Sequence, residues 1–511
     1  MTELECALEE IQKLRAVDAE KTARIAQLEL ILEKLTFQLA VMKRAMLGKK
    51  SEASNALQEE MFGVQQVALE QANTGDAPIR PEPLKKQSSQ PKAAPRITLP
   101  RDLPVEEIEL DLPEAEKFAP DGTALKCIGA DISDKLAVIP SRFFIRRTKR
   151  LKYAHPTQEE FGIKAAPLNQ IIAGGIADPS VYADVAVKKF DDHMPLNRIT
   201  ETYLRDSKVY LPKQTLSDWI LTSARWLTPL CAALKTVLMQ ESVIHVDETV
   251  FPLLHPGKTI NARAWVYVSG SGTLRYYQFT TDKKGEHVRE TLKDWSPPDG
   301  KRYLQADAAS NYDALYRQSD ILELACWAHA RRKFFDIAKQ SPAAKTAHAA
   351  VEKINALFTL ERESAEAKET PDQRHERRQL EARPKLEKLK LWLDDELRDL
   401  LPKTPTAGAI GYCLRHWDAL TRYLDDGRTK IDNNAAERAL RVVAVGRKNW
   451  MFAGSEKGGH AAACMYTLIE TAKACGLNPR EYLEDVLRRL PSTLQCDINT
   501  LLPQNWKPLT P

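Results

Sequence analysis

The segment from Val243 to about residue 330 contains short strand and helix patterns in a fixed order, which restricts the fold of this 511-residue chain more than any other part. Val243–Val246 is a short apolar run, and Ala262–Gly270 and Leu274–Thr281 are two further strand patterns joined by a Gly-Ser-Gly turn. A helical pattern at Glu286–Trp295 follows, then a strand, a short helix from Tyr312 and a last strand. The segment therefore predicts a five-stranded sheet with two connecting helices.

Two aspartates stand at the ends of predicted strands in this segment. Asp247 follows the first strand, and Asp307 ends the fourth strand pattern, RYLQADAAS. The order strand, strand, strand, helix, strand, helix, strand is that of an α/β ribonuclease H-like fold, in which the ends of the first and fourth strands lie side by side. Asp247 and Asp307, 60 residues apart, are therefore expected to converge. The adjacent Glu248 would point to the opposite face if the strand continues.

Converging carboxylates suit Mg²⁺ or Mn²⁺, because hard cations prefer anionic oxygen ligands and keep positions open for water and phosphate. The segment KIDNNAAERALRVVAVGRKNW offers a third acid, Glu437, on a helix that begins near Asn434. These two residues also have the spacing of a capping box, in which their side chains satisfy backbone donors at the helix start. Spacing alone favours the capping box over a catalytic role for Glu437.

The first 46 residues carry a heptad repeat in which 11 of the 13 seam positions are apolar, with Asp18 and Lys21 as the polar interruptions. This pattern predicts a coiled coil over residues 1–50 that joins copies of the chain into a homo-oligomer. A long helix packed on its own protein is the alternative. Residues 63–104 contain seven prolines among Gln, Ser and Lys, which predicts a flexible linker.

A basic run stands in the region 105–160, where six cations and no acid occur between Arg142 and Tyr153, interleaved with Phe143 and Phe144. Such a run is suited to a DNA phosphate backbone, and an ordinary exposed strand pair is the alternative. We therefore expect a small DNA-binding region here. The six cations are Arg142, Arg146, Arg147, Lys149, Arg150 and Lys152.

The next region, 161–235, is predicted to be helical. Leu196–Leu227 has the pattern of a helix, a short turn and a second helix that opens near Pro212. In a helix-turn-helix, the start of the second helix contacts base edges, which would assign that role to Lys213, Gln214 and Ser217. Any helical hairpin has a similar pattern, so the DNA contact is one of two interpretations.

Five segments of the chain closely resemble, in order, the catalytic-region blocks of the insertion sequence 66 family of bacterial DDE transposases. They are HVDET, LQADAASNYDALY, CWAHARRKFFDIA, KIDNNAAERALR and TLIETAKACGLNPREYLEDVL. The resemblance extends outward to LKYAHPTQ, AVMKRAMLGKKSEAS and the final LLPQNW, so that it covers nearly the whole chain.

The resemblance implies that Asp247, Asp307 and Glu437 form a catalytic triad that binds two Mg²⁺ (or Mn²⁺) ions. It implies in-line attack of a water, and later of a DNA 3′-hydroxyl, on a phosphodiester without a covalent protein intermediate. The implied partners are double-stranded DNA, both element ends and target, and small accessory proteins encoded by the same element. A catalytically idle DNA-binding relative and a ribonuclease H-like nuclease without strand transfer are the alternatives.

Cys326 and His329 form a CxxH pair at the end of the last predicted strand, similar to one found in several groups of DDE transposases. Two residues cannot close a zinc site, which takes four ligands, so a role in supporting the active site is favoured over a metal site. Cations that would meet DNA phosphates lie beside this pair and around Glu437. They are Arg331, Arg332, Lys333, Arg438, Arg441, Arg447 and Lys448.

Glu437 follows Asp307 by 130 positions, more than the fold requires. Residues 338–425 are rich in Ala, Glu, Lys, Leu and Arg with helical periodicity, which predicts an all-helical insertion. It would divide the catalytic domain into 240–337 and 426–475, with 476–511 as a C-terminal segment. The insertion would hold DNA or a second protomer, or stabilise the domain as a helical flap.

The chain departs from the family pattern in its central region, where members usually carry two Cys pairs that resemble a zinc module. Here only Cys127 remains, and His155 stands where a cysteine is expected, which argues against four-ligand zinc binding. The eight scattered cysteines and the lack of an apolar run of about 18 residues predict a cytoplasmic protein of a bacterium, associated with the nucleoid when bound to DNA and not with a membrane. The net charge of +4 averages acidic and basic segments and does not by itself indicate DNA.

Overall fold

The structure is a computed structural model that describes residues 142–149, 152–154, 163–165, 170–172, 174–307, 312–318 and 320–508. For 152–154, 163–165, Asp313 and Gln318 it describes the backbone only. The predicted coiled coil, the predicted linker and most of the region 105–160 lie outside the described residues, as do Cys127, Arg150 and His155.

In the described part of the chain, two short strands and three helices precede the main sheet. The strands pair antiparallel with each other. Each helix begins at a proline or directly after one, because proline has a fixed φ and lacks the N–H that the first helical turn leaves unpaired. The elements are β1 (Lys152–Ala154), β2 (Ile163–Ala165), α1 (Pro179–Phe190), α2 (Leu196–Ser207) and α3 (Lys213–Leu238).

The main sheet has five strands, in the order β5-β4-β3-β6-β7. Pairing is antiparallel from β3 to β5 and parallel from β3 through β6 to β7. The first and fourth strands of the predicted order are therefore neighbours, as expected. The elements are β3 (Val243–His255), β4 (Lys258–Ser269), β5 (Arg275–Thr280), α4 (Glu286–Thr291), β6 (Arg302–Gln305), α5 (Asp313–Gln318) and β7 (Ile321–Leu324).

Several predicted boundaries in this segment are wrong. The second strand begins at Lys258 rather than Ala262, and the fourth ends at Gln305, two residues before Asp307. The first strand does not end at Val246 but runs through Asp247 to His255, because it forms a long hairpin with β4 around Gly257, whose φ is +73°. The first connecting helix ends at Thr291 rather than Trp295, whose indole donates to the Glu241 carbonyl. The last strand ends at Leu324, and the next helix begins at Trp327.

Between β7 and Glu437, the described residues form helices and turns only. Arg378 is buried in this part, where it pairs with Glu361 and donates to the Tyr423 and Thr429 carbonyls. The elements are α6 (Trp327–Gln340), α7 (Lys345–Glu366), α8 (Pro371–Arg377), a π-helical turn (Arg378–Ala382), α9 (Arg383–Asp399), α10 (Pro405–Arg415), α11 (Trp417–Thr421) and a 3₁₀ turn (Arg422–Asp425).

Three helices and two 3₁₀ turns follow in the residues described up to 508: α12 (Asn434–Trp450), α13 (Glu456–Ala474), α14 (Pro479–Arg489), Leu490–Ser492 and Gln495–Leu501. None of the helices in the described part of the chain is long and apolar enough to cross a membrane.

The sheet is covered on both faces. Successive side chains along a strand point in opposite directions, and those of β4 enter two different cores. Val266 and Val268 of β4 join a core with α1–α3 and α12–α14, whereas Trp265 and Tyr267 join a second core on the other face. A third core lies mainly among α6–α11. On β3, Ile244 and Val246 face the second core, so the odd-numbered residues from His245 onward face α12.

Candidate active site

Asp247 and Asp307 lie just beyond the last paired residues of the parallel strands β3 and β6. His245 of β3 is paired with Gln305 of β6, and each aspartate stands two residues beyond its member of that pair. Asp247 continues β3 on the face that α12 covers, and its Oδ1 accepts from the Glu248 amide at 2.8 Å. Parallel pairing therefore brings the two predicted carboxylates to the same edge of the sheet.

The charges of neighbouring acids affect the ionisation of Asp247 and Asp307. Burial raises the pKa of Asp247 well above its usual range, and the charges of Asp307, Glu437 and Glu248 raise it further. Burial also raises the pKa of Asp307, with His329 lowering it and Glu437 raising it. Asp307 Oδ1 is buried without a hydrogen-bond partner. The carboxylates thus repel one another in a partly desolvated place, where a cation would stabilise their charged forms.

Glu437 lies in the first turn of α12, but it does not form a capping box. The N-cap of this helix is Asn433, which makes no side-chain cap, and the Asn434 amide side chain donates to Asp432 instead. The capping-box interpretation is therefore wrong. The Glu437 carboxylate lies 3.6 Å from His329 Nε2 and 3.8 Å from an Arg332 guanidinium nitrogen, and its Oε1 has no hydrogen-bond partner.

The three acids are neighbours but not a tight cluster. The ligand atoms of Asp247, Asp307 and Glu437 do not all lie within 4.8 Å of one another, whereas those of Cys326, His329 and Glu437 do. In this structure Glu437 therefore lies on the side of His329 and Arg332.

Cys326 and His329 belong to α6 rather than to the end of a strand. Cys326 is the N-cap of α6, and His329 lies in its first turn. The Cys326 sulfur is buried and accepts from the Asn433 amide at 3.2 Å, and burial raises the pKa of the thiol to about 12. Burial lowers the pKa of His329, against the opposing effect of Glu437. Both residues thus contact the helix that carries Glu437.

A buried network of hydrogen bonds next to the proposed catalytic acids was not predicted from the sequence. Asn433 donates from Nδ2 to the Val246 carbonyl at 2.9 Å, and its Oδ1 lies 3.2 Å from His245 Nδ1. Burial lowers the pKa of His245 to about 4, so this ring is neutral. Burial raises the pKa of Asp432 to about 6. The pair Asn433–Asn434 at the start of the Glu437 helix was the available signal, since two polar residues at a buried helix start require partners.

The structure places the predicted DNA contacts in different surroundings. Arg146 pairs with Asp178, Gln214 donates to Asp218, and Arg331 donates to Asn355. Arg447 donates to Thr249 and to the Val250 carbonyl, and so fixes α12 on β3. Ser217 and Arg332 are half-buried, and the Lys152 side chain is outside the described residues. Exposed are Arg142, Arg147, Lys149, Lys213, Lys333, Arg438, Arg441 and Lys448.

Three family models match the chain. The model described as "Transposase IS66 family" matches residues 174–461, more than half of the chain. The "IS66 C-terminal element" matches residues 467–504. The model described as "Transposase C of IS166 homeodomain" matches residues 34–108, which lie outside the described part.

The chain is also similar to three proteins of Sinorhizobium fredii (strain NBRC 101917 / NGR234) that carry the names uncharacterized protein y4jD, y4qI and y4hP. The first is 30% identical over 94% of this chain and 96% of its own length. The second is 30% identical over 99% and 93%, and the third 29% identical over 99% and 88%. These matches confirm the resemblance seen in the sequence blocks: the chain belongs to the IS66 family of transposases.

Proposed function

We propose that the chain binds the ends of its insertion sequence and catalyses metal-dependent DNA cleavage and strand transfer through Asp247, Asp307 and Glu437. The observation that carries this proposal is the convergence of two partly buried carboxylates, Asp247 on β3 and Asp307 just beyond the neighbouring strand β6, both with raised pKa values, beside a third acid on α12. Groups whose pKa values are shifted by burial and by like charges are typical of catalytic sites.

The catalytic domain is proposed to be ribonuclease H-like. Its support is the sheet order, in which three antiparallel strands are followed by two strands that run parallel to β3, the central strand. The helices of residues 338–425 are proposed to be an insertion into this domain, because they stand between β7 and α12 and their buried apolar residues belong mainly to the third core.

The residues present fit a pair of Mg²⁺ or Mn²⁺ ions. Asp307 Oδ1 and Glu437 Oε1 are oxygens without hydrogen-bond partners, and the mutual repulsion of the acids is what a bound cation would relieve. When bound, such ions would polarise the scissile phosphate and favour the ionised form of the attacking hydroxyl. Asp247 and Asp307 would hold the ions on the sheet, and Glu437 would complete their shell from α12.

The chain's own cations would orient the DNA. Arg438 and Lys448 are exposed on α12, on the same helix as Glu437, and Lys333 is exposed on α6. Phosphate contacts from such residues fix register on the duplex without reading sequence. Arg332 holds Glu437 at 3.8 Å and would exchange that contact for a DNA phosphate when the acid turns toward the aspartates.

Recognition of the ends is proposed for the basic run from Arg142 and for the pair α2–α3. Lys213 and Gln214 are exposed at the start of α3, the position that contacts base edges in a helix-turn-helix. The homeodomain description of the model that matches residues 34–108 supports a further DNA contact there. We also propose homo-oligomerisation through the N-terminal heptads, cooperation with accessory proteins of the element, and action on the bacterial nucleoid.

The test is a strand-transfer assay with Mg²⁺ and a duplex that carries the inverted repeats flanking the gene. Asp307→Asn should abolish cleavage and joining, whereas Asp320→Asn, a change at an exposed acid, should not. Cleavage without joining would support the nuclease alternative. No activity of the unmodified chain on DNA that it binds would support the idle relative.

A further inference from the structure

Three side chains of different chemistry meet at the start of α6 and α12. One ligand atom each from Cys326, His329 and Glu437 lies within 4.8 Å of the other two. A sulfur, an imidazole nitrogen and a carboxylate oxygen are the ligand types that Zn²⁺ and Co²⁺ accept, whereas Mg²⁺ takes oxygen ligands. This set therefore differs in metal preference from the set of three acids.

The backbone places these groups with little freedom. Cys326 caps α6 and His329 follows in its first turn, so the pair shares one end of one helix. The sulfur accepts from the backbone N–H of Asn433 at 3.2 Å, and Asn433 is the N-cap residue of α12. Metal binds the thiolate, so a cation at this place would displace the thiol proton while the Asn433 backbone N–H continues to donate to the sulfur.

The same place contains polar atoms without partners. His329 Nδ1 and Glu437 Oε1 are buried and make no hydrogen bond, although His329 Nε2 is only 3.6 Å from Glu437. The His329 and Glu437 side chains are each about a quarter exposed, which leaves a route for an ion from solvent. Buried polar groups normally have partners, so a bound cation would supply the partner that these side chains lack.

We propose that Cys326, His329 and Glu437 bind a thiophilic divalent cation such as Zn²⁺, at a site that is separate from the proposed Mg²⁺ site and shares Glu437 with it. Three protein ligands leave the fourth tetrahedral position to water. On binding, the Cys326 thiol loses its proton to solvent and the sulfur forms a bond to the cation, with no change of oxidation state.

One consequence rests on the proposed function. A cation held by Cys326 and His329 keeps Glu437 away from Asp247 and Asp307, so Zn²⁺ should inhibit Mg²⁺-supported strand transfer. Glu437 would then be either a ligand of the inhibitory Zn²⁺ or a member of the catalytic triad with Asp247 and Asp307.

The experiment uses Co²⁺ as a spectroscopic probe on the full chain. Titration should produce sulfur-to-cobalt charge-transfer absorption and the visible bands of tetrahedral cobalt, saturating at one equivalent. Cys326→Ser should remove the charge-transfer absorption. Cys413→Ser, which changes a buried free thiol on α10, is the matched control and should retain it. Absence of the absorption in the unmodified chain, or its persistence in Cys326→Ser, would overturn the proposal.

A second variant covers the case in which Cys326→Ser does not fold. His329→Gln changes a partly exposed side chain and should weaken Co²⁺ binding more than about tenfold. Unchanged affinity in a folded His329→Gln would also contradict the site. Strand transfer at fixed Mg²⁺ with added Zn²⁺ is measured in parallel. Cobalt binding without any strand transfer supports this site and contradicts the proposed function, whereas strand transfer without cobalt binding does the reverse.

Discussion

The Asn433 side chain donates a hydrogen bond to the Val246 carbonyl at 2.9 Å, which joins the residue before α12 to the residue before Asp247. Its Oδ1 lies 3.2 Å from His245 Nδ1. One buried amide thus links the strand that carries one proposed catalytic acid to the helix that carries another. Because the amide donor is used on Val246, the neutral His245 ring donates from Nδ1.

Asn433→Ala should lower the free energy of unfolding by about 2 kcal/mol or more, because it leaves the buried Val246 carbonyl and His245 Nδ1 without partners. Urea denaturation of the full chain measures the change. Asn261→Ala, at an exposed position of β4, should change the stability by less than about 0.5 kcal/mol. Equal effects of the two variants would contradict this assignment.

The raised pKa of Asp247 makes stability depend on pH in an unusual direction. In the window above the unfolded carboxyl pKa of about 4, the folded protein binds more protons than the unfolded chain, so this group lowers stability as pH rises. Asp247→Asn should therefore be more stable than the unmodified chain at pH 8 without metal, and the difference should shrink toward pH 4. Thermal unfolding in EDTA at several pH values measures it, and a difference that grows toward low pH would contradict the sign.

Mg²⁺ or Mn²⁺ should stabilise the folded chain, because the ion binds acids that repel one another when it is absent. At a concentration of about 100 times the dissociation constant, the gain is about 2.7 kcal/mol. The gain should vanish in Asp307→Asn and remain in Asp320→Asn, whose side chain is exposed. The metal-dependent shift of the unfolding midpoint is the measurement, and an equal shift in both variants would exclude Asp307 as a ligand.

The ion pair between Arg378 and Glu361 should contribute strongly to the stability of the helices between β7 and α12. Arg378→Met leaves Glu361 without its guanidinium partner in a largely buried place and should cost about 3 kcal/mol or more. The neighbouring Arg377→Met breaks a more exposed pair with Glu369 and should cost about 1 kcal/mol or less. Urea denaturation compares the two, and similar costs would argue against a special role for the buried pair.

Substitutions of Arg438 and Arg447 should affect different properties, DNA binding and stability respectively, although both residues lie on α12. Arg438→Ala should weaken DNA binding and reduce the salt dependence by about one counterion, because its side chain is exposed near Glu437. Arg447→Ala should instead lower stability, since Arg447 donates to Thr249 and to the Val250 carbonyl. Binding as a function of salt and unfolding in urea are both measured; an unchanged salt slope in Arg438→Ala would exclude that contact.

The sequence by itself determined the order of strands and helices, the approach of Asp247 to Asp307, and the family. These follow from local patterns and from a pairing rule: periodicity identifies each element, and neighbouring parallel strands bring their ends to one edge. The assignment of the residues to catalysis, to metals and to DNA remains a prediction.

Only the tertiary structure decided what surrounds Glu437. Spacing favoured a capping box at Asn434, but the helix begins after Asn433, and the Asn434 amide is used on Asp432. The Asn433 amide bonds to Cys326 Sγ across 107 residues and its side chain to Val246 across 187. No periodicity encodes such contacts, because they arise when separate elements pack and each buried polar group must find the partner that the packing supplies.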